Sequence, residues 1–430
     1  MKKIKVRDTD KIFVQLASYR DPQLVPTIQY ALEKADHPER LVFGICWQYD
    51  DTENPNHYDG NPQFRVSKFH YSESQGLGWA RNQTNLLLDD EKYTLQLDSH
   101  HRFLEGWDTM MIEDYEQAST LSKKPILTTY LTPFSVETDP GCGCRRDSSL
   151  NPVPCLMSQY EFSSDKLLMS MPWYIQDYKE RTEVIKARTI SGHFYFTVSK
   201  FVKEIPYDPD IYFGGYCEET TMSVRAWTSG YDFFSPYRQY IWHEYTREGR
   251  PKHWEDHGTK SETDKTSGER DAFARSKTRQ IFGQEDNGID LGIYGLGKVR
   301  TLHEYEEFGG FDFKNCKIQE HTLIVREPPN PLPWEDQFIT KTFNVTCEWD
   351  LNFFKKHKFK NPKFLTLGLL TKTDVEVFRK DFTIEAEPDY VNLISNSYVV
   401  TGKSLDIPQK LVMYLFDEKK QWSERYEKSI

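Results

Sequence analysis

Long apolar runs are missing from the 430-residue chain: nothing approaches the roughly 18 consecutive apolar residues of a membrane-spanning helix. The opening residues MKKIKVRDTDKIFVQLASYRD pass from charge straight into a strand-like segment, without the apolar core and cleavage site of a secretion signal. A cytoplasmic address is therefore expected. Basic charge is also short, with 55 Lys and Arg against 66 Asp and Glu and a formal net charge of −11. That balance lacks the positive footprint of a nucleic-acid binder. Seven cysteines, an odd number over a long chain, fit reduced thiols better than a disulfide framework. Cys142, Cys144 and Cys155 lie close together, but a fourth zinc ligand and the usual spacing are absent. Neither repeats at solenoid spacing nor a heptad pattern is present.

What the chain does have is length for a large domain plus a second module, and 14% aromatic residues from which to build cores. Lys11 to Ser18, KIFVQLAS, reads as a buried strand, followed by the turn Tyr19-Arg20-Asp21-Pro22 and the amphipathic helix LVPTIQYALEKA. Leu41 to Trp47 is a second apolar strand ending in Gln48-Tyr49-Asp50-Asp51, and Phe64 to Tyr71 a third. Successive strand-loop-helix units predict an α/β fold with a mostly parallel sheet. Gly76-Leu77-Gly78 opens a helix whose N-terminus would present free N–H groups to a phosphate or sugar, with Arg81 adding charge; alternatively Arg81 pairs with a surface carboxylate.

The most informative stretch is Tyr93 to Trp107, YTLQLDSHHRFLEGW. Tyr93, Leu95 and Leu97 alternate with Thr94 and Gln96, the period of a strand, and the run ends in Asp98-Ser99-His100. Ligands of open α/β sheets bind beyond the carboxyl ends of the strands. Asp98 and His100 can offer one hard oxygen and one imidazole nitrogen to a divalent ion, too few for a structural site but suited to an ion shared with substrate oxygens. An ordinary strand-ending turn with a solvated His is the alternative.

Beyond a helix near Thr109–Ser119 and a strand at Pro125–Tyr130, residues Thr132 to Pro154 read as a long loop, either a functional insertion or a surface loop. In YDPDIYFGGYCEETTMSVRAWTSGY, Glu218 and Glu219 begin a helix with Met222 and Ala226 facing inward; they serve a pocket or simply the helix dipole. Phe233 to His243 reads as one strand, Glu244 to Asp271 as a polar loop, and Ala272 to Gly283 as a helix. Trp254 within that loop covers a sugar or nucleotide, or anchors the loop by burial. From about Phe311 short strands separated by Pro and Asn turns predict a β-rich module, sandwich-like, after a Pro-rich segment at Pro328–Pro333. The domains expected are 1–310 catalytic, 311–333 linker and 334–430 β-rich.

Taken in order, IFVQLASYRDPQLVPTIQYAL, GLGWARN, LQLDSHHRFLEGWD, SGHFYFTV, the GGYCEE segment and HEYTREGRPKHW resemble retaining glycosyltransferases of the GT-A fold. The likeness is to polypeptide N-acetylgalactosaminyltransferases and, more closely, to the family that attaches N-acetylglucosamine to hydroxyproline or Thr of proteins; it covers about residues 10–310. The resemblance implies Asp98, His100 and His243 as ligands of Mn2+ or Mg2+, and UDP-GlcNAc as donor. It also implies that Ser18, Tyr19, Arg20, Asp21 and Asp50 or Asp51 hold uridine and ribose, that Arg81 and Ser99 contact the donor, and that Glu218 and Glu219 are the catalytic-side acids. Relatives carry glycine directly before the acid, whereas here Tyr216 and Cys217 intervene after Gly214 and Gly215. The resemblance further implies a protein hydroxyl or a glycan as acceptor, with retention of configuration. A bacterial polysaccharide acceptor, UDP-GalNAc as donor, or an inactive binding relative are the competing readings.

Overall fold

The apolar run at the start of the chain folds as its pattern predicts, into a strand Ile12–Tyr19 (β1) whose first five residues are all buried. Helix Leu24–Lys34 (α1) buries Leu24, Thr27, Ile28 and Ala31, the i, i+3, i+4, i+7 stripe of a helix packed on a sheet. Strands Leu41–Tyr49 (β2) and Phe64–His70 (β3), helix Leu77–Asn85 (α2) and strand Tyr93–Leu97 (β4) follow. Then come His101–Phe103 (β5), Trp107–Leu121 (α3), Pro125–Thr128 (β6), Thr132–Phe134 (β7), Cys155–Phe162 (β8), Leu168–Tyr174 (β9), Ile185–Ala187 (β10) and Phe194–Val198 (β11). Helices Lys200–Glu204 (α4) and Glu218–Thr228 (α5), strands Asp232–Ser235 (β12) and Ile241–Glu244 (β13), and helices His253–Asp256 (α6), Ser267–Ile281 (α7) and Leu302–Gly309 (α8) complete this part.

The computed structural model describes residues 10–134, 155–175, 179–213, 216–245, 250–258, 265–334, 338, 341–350, 352, 362–372, 374, 376–383, 397–404, 407–417 and 421–430. Two compact units emerge, residues 1–316 with 327–329, and residues 317–326 with 330–430. In the first, the described residues form an eight-stranded sheet in the order β10-β12-β6-β11-β4-β1-β2-β3. β1 runs parallel to β2 and β4, placing Ile12 beside Leu41 and Tyr93, while β11 runs antiparallel to β4 and β6. This is the α/β, parallel-rich architecture expected of the GT-A class. Its core packs Val14, Leu16, Phe43, Ile45, Leu95 and Leu97 with Ile28 and Trp107 from the helices. All three strand ends, of β1, β2 and β4, point the same way, so their following loops meet at one edge.

Two expected elements differ. The segment 233–243 is two strands: β12 pairs in the large sheet, whereas β13 joins a separate three-stranded sheet, β5-β13-β7. Pro236 lies in the break, and a residue without an N–H cannot continue a ladder. Helix α7 begins at Ser267, within the segment expected as loop, because Thr266 and Glu269 form a capping box in which the Glu269 N–H donates to Thr266 Oγ1 at 3.2 Å. Cys142, Cys144, Gly214 and Gly215 lie outside the described residues. Among the described residues no helix is long and apolar enough to cross a membrane.

The second unit is β-rich. Strand Lys341–Glu348 pairs antiparallel with Ser397–Ser404, and Pro362–Leu370, Glu376–Thr383 and Lys410–Asp417 form the body of another antiparallel sheet. Leu365, Leu367 and Leu369 alternate inward to meet Leu411, Met413 and Leu415, with Phe343, Cys347 and Val400 from the other pair closing the core.

Candidate active site

The loop after β4 carries Asp98-Ser99-His100 to the edge where the loop after β1 carries Asp21. Ser99 Oγ donates to Asp21 Oδ2 at 2.8 Å, and His100 Nδ1 lies 2.7 Å from the same oxygen. With Nδ1–H committed to Asp21, the Nε2 lone pair of His100 faces Asp98, 3.8 Å from its Oδ2. A carboxylate behind a histidine is the usual means of fixing the tautomer of a metal ligand. The small second sheet supplies the third group: β13 pairs with β5, setting His243 opposite His101, and His243 Nε2 lies 3.2 Å from Asp98 Oδ2. The ligand atoms of Asp98, His100 and His243 all fall within 4.8 Å of one another. One hard oxygen and two imidazoles, converging from two sheets, are a donor set that fits a divalent ion with substrate oxygens completing the shell.

Two further histidines surround this trio. The Asp98 N–H, which can only donate, meets His101 Nε2 at 3.1 Å, so His101 carries its proton on Nδ1, which donates to the Trp242 carbonyl at 2.9 Å. His101 is thereby a neutral brace that holds the Asp98 backbone. His193 accepts the Leu131 N–H at Nε2 at 3.1 Å, which puts its proton on Nδ1 toward Ser191 Oγ at 3.0 Å, and its ring packs 4.5 Å from that of His243. Burial pushes both well below the usual imidazole range. Neither has a ring nitrogen left for a metal.

Arg81 is 2% exposed, and it lies between carboxylates rather than on the surface. Its Nη2 donates to Asp98 Oδ1 at 2.7 Å and its Nη1 to Glu218 Oε1, with the guanidinium 5.4 Å from the Tyr207 ring centroid. Burial alone would lower Arg81, but the charges of Glu218 and Asp98 hold it well above its ordinary value, so it stays cationic. For Asp98, burial works upward and is outweighed by the His243 hydrogen bond and the Arg81 charge, which keep it well below the usual carboxylate range. Glu219 accepts the Gly192 N–H at 2.7 Å and is pushed up to about 8 by burial and then by the neighbouring Glu218.

A cavity of about 320 Å³ opens over this cluster. Tyr19, Asp21, Arg81, Asp98, Ser99, His100 and Trp254 line it, with Phe213, Tyr216, Arg250 and His253. Of the other residues singled out in the sequence, Ser18, Arg20, Asp50, Glu218, Glu219 and His243 do not line it. Arg20 instead ties the edge together, bonding Asp50 at 3.0 Å and Asp256 of α6 at 2.9 Å, while Tyr19 donates to that same Asp256 oxygen at 2.6 Å. Ser18 Oγ is buried without a hydrogen-bond partner. Trp254 packs on Phe213, ring centroids 4.8 Å apart. The helix N-terminus expected to be open is closed: the Leu77 and Gly78 amides donate to the Tyr212 and Ile211 carbonyls at 3.0 and 2.9 Å. A Cβ on Gly78 would strike the Asp208 and Ile211 carbonyl oxygens, so the missing side chain is what lets that segment cover the helix start.

Gly192 has a similar role beneath the acids. A Cβ there would collide with Glu218 Oε2 and lie 3.0 Å from Arg81 Nη1. Gly192→Ala is expected to destabilise the protein by about 1–3 kcal/mol through overpacking, read as a lowered denaturant midpoint with unchanged slope.

The family model described as Glycosyltransferase (GlcNAc) matches residues 11–63 and 59–315. The chain belongs to this glycosyltransferase family. Solved structures similar to it include GalNAc-T7 with UDP, GalNAc and Mn2+, at 12% identity over 96% of this chain and 68% of that one, TM-score 0.44. S. aureus TarS 1-349 in complex with UDP-GlcNAc is 15% identical over 56% of this chain and 60% of that one, TM-score 0.32. S. aureus TarS is 11% identical over 97% and 77%, TM-score 0.32. No curated protein matches. The match to the glycosyltransferase family runs through every segment that builds the cavity, from β1 to α6. The braces His101 and His193, and the cation Arg250, are among the site residues that sequence reasoning left without a role. The His100-His101 doublet and the SGHF turn were the local signals of the two histidines.

Proposed function

We propose that the chain is a metal-dependent glycosyltransferase that moves N-acetylglucosamine from UDP-GlcNAc to an acceptor hydroxyl, with retention of configuration. The observation that carries this reading is the convergence of Asp98, His100 and His243 at the edge of a cavity in the family's matched region. Asp98, His100 and His243 would hold the divalent ion, which would supply positive charge against the leaving diphosphate.

The residues of the chain do the rest. As the bond from C1 to the diphosphate oxygen stretches, its electron pair moves onto that oxygen. Arg81, held cationic in a water-poor site, stabilises this charge more in the transition state than in the ground state, which is the condition for acceleration. The acceptor oxygen bonds to C1 on the face that the diphosphate leaves, and its proton passes to a phosphate oxygen of the departing UDP. Retention by double displacement would instead need a carboxylate free to attack C1. Glu218 is 3% exposed, bound to Arg81 and outside the cavity lining, which favours the single-face path. Its role in this reading is to hold Arg81 in place. Tyr19, Asp21 and Ser99 hold the nucleotide side, and Phe213, Tyr216 and Trp254 offer apolar faces to the sugar or the acceptor. Residues 1–310 carry the catalysis, and 334–430 form a β-rich module that serves acceptor use, the acceptor being a protein or a glycan.

The test is UDP release from UDP-GlcNAc and UDP-GalNAc without acceptor, with manganese and with chelator. Slow hydrolysis of UDP-GlcNAc that stops with chelator and returns with manganese is the expected result. Release that persists in chelator overturns the metal assignment, and preference for UDP-GalNAc overturns the donor.

A further inference from the structure

Arg250 lines the cavity, yet its guanidinium is turned to two carboxylates that belong to different parts of the site. Nη1 lies 3.1 Å from Asp21 Oδ2, the oxygen that also binds His100 Nδ1 and Ser99 Oγ. Nη2 lies 2.7 Å from Glu244 Oε2. Glu244 directly follows His243 on β13, is 2% exposed, and its N–H donates to the His100 carbonyl at 3.1 Å. One planar fork therefore spans the loop that orients His100 and the strand end that carries His243. The same stretch of chain is pinned a second time six residues on, where Asp256 accepts from Tyr19 and Arg20.

We infer that Arg250 is a positioning residue for the metal site: it fixes His100 through Asp21 and His243 through Glu244, so that the segment 250–256 over the cavity and the ligand geometry are set together. The inference rests on the metal reading given above. The chemistry favours Arg for this task. A guanidinium presents parallel N–H groups in a rigid plane and can hold two carboxylates at a fixed separation, whereas an ammonium is a point charge on a flexible stem. Asp21 accepts from Ser99, His100, Arg250 and the Gln23 N–H at once, so it is saturated and stays ionised without help from a ligand. Losing Arg250 leaves Asp21 its other donors but removes the side-chain link that joins Asp21 to Glu244.

The experiment measures manganese affinity directly, by electron paramagnetic resonance of free Mn2+ and by calorimetry, in the full-length protein without substrate. Wild type is compared with Arg250→Gln, Arg250→Lys and Glu244→Gln, each checked for fold by circular dichroism and thermal midpoint. Arg250→Gln is expected to weaken manganese binding roughly tenfold, the usual effect of losing a group behind a ligand. Arg250→Lys should fall between the two, and Glu244→Gln should weaken binding in the same direction. Wild-type manganese affinity in Arg250→Gln and Glu244→Gln, with only the KM for UDP-GlcNAc raised in Arg250→Gln, overturns the inference and makes Arg250 a direct donor contact. A wild-type chain that takes up no manganese overturns the metal reading and this inference with it.

Discussion

Asp98→Ala is expected to lower turnover on the order of a thousandfold while leaving the fold intact. Asp98 supplies the only oxygen among the three converging groups, and both histidines are aimed at its Oδ2. In the proposed site, removing it takes away the charge-bearing ligand and at the same time one anchor from Arg81. The fold survives for a reason visible in the charges. Arg81 keeps Glu218 as partner, so after the substitution the buried cation and the buried anion still balance, and the Asp98 backbone N–H keeps its bond to His101. Asp98→Asn sharpens the comparison, since it preserves volume and removes charge. Turnover of UDP-GlcNAc and the circular dichroism melt, measured on the same preparation, separate the two effects. Full activity in Asp98→Ala would remove Asp98 from the metal site and with it the central functional assignment.

How much of this was readable before folding differs residue by residue. Asp98 and His100 were legible because the period-2 run Tyr93–Leu97 announces a buried strand, and a polar cluster at its end has no packing reason to be there. His243 was not legible by itself. Its strand follows a break at Pro236 and sits in a different sheet, so only the order of segments tied it to Asp98. The start of α2 shows the opposite failure. The glycines marked the helix correctly, but whether its amides stay open depends on the carbonyls of Ile211 and Tyr212, more than a hundred positions away, and no local pattern encodes that. Glu218 and Glu219 were placed at the right helix start, yet a helix position does not tell which way a carboxylate turns. Burial turned them to Arg81 and Gly192. The second unit was legible as strands because inward Leu residues alternate along Pro362–Leu370.

Arg81→Met is expected to destabilise the protein by about 3–5 kcal/mol, the cost of leaving buried charge without its partner. The guanidinium now separates Asp98 from Glu218, whose carboxylate is 3% exposed. Methionine replaces the aliphatic stem but neither the guanidinium nor its charge, so both acids would repel across the gap and Glu218 would have to take up a proton to remain buried. The loss should therefore be greatest at high pH and shrink as the pH falls and Glu218 protonates, since the protonated acid no longer needs the cation. Arg81→Met with Glu218→Gln should recover part of the stability, because the second change removes the more buried of the two stranded charges; a double-mutant cycle on denaturant midpoints reads this coupling. Catalysis should not recover. The double variant still lacks the cation that the proposed mechanism sets against the leaving diphosphate, so its turnover is expected to stay down by roughly a hundredfold. Stability and activity that return together would make Arg81 a purely structural cation, and equal stability of Arg81→Met and wild type would mean that the pair carries no net energy in the fold.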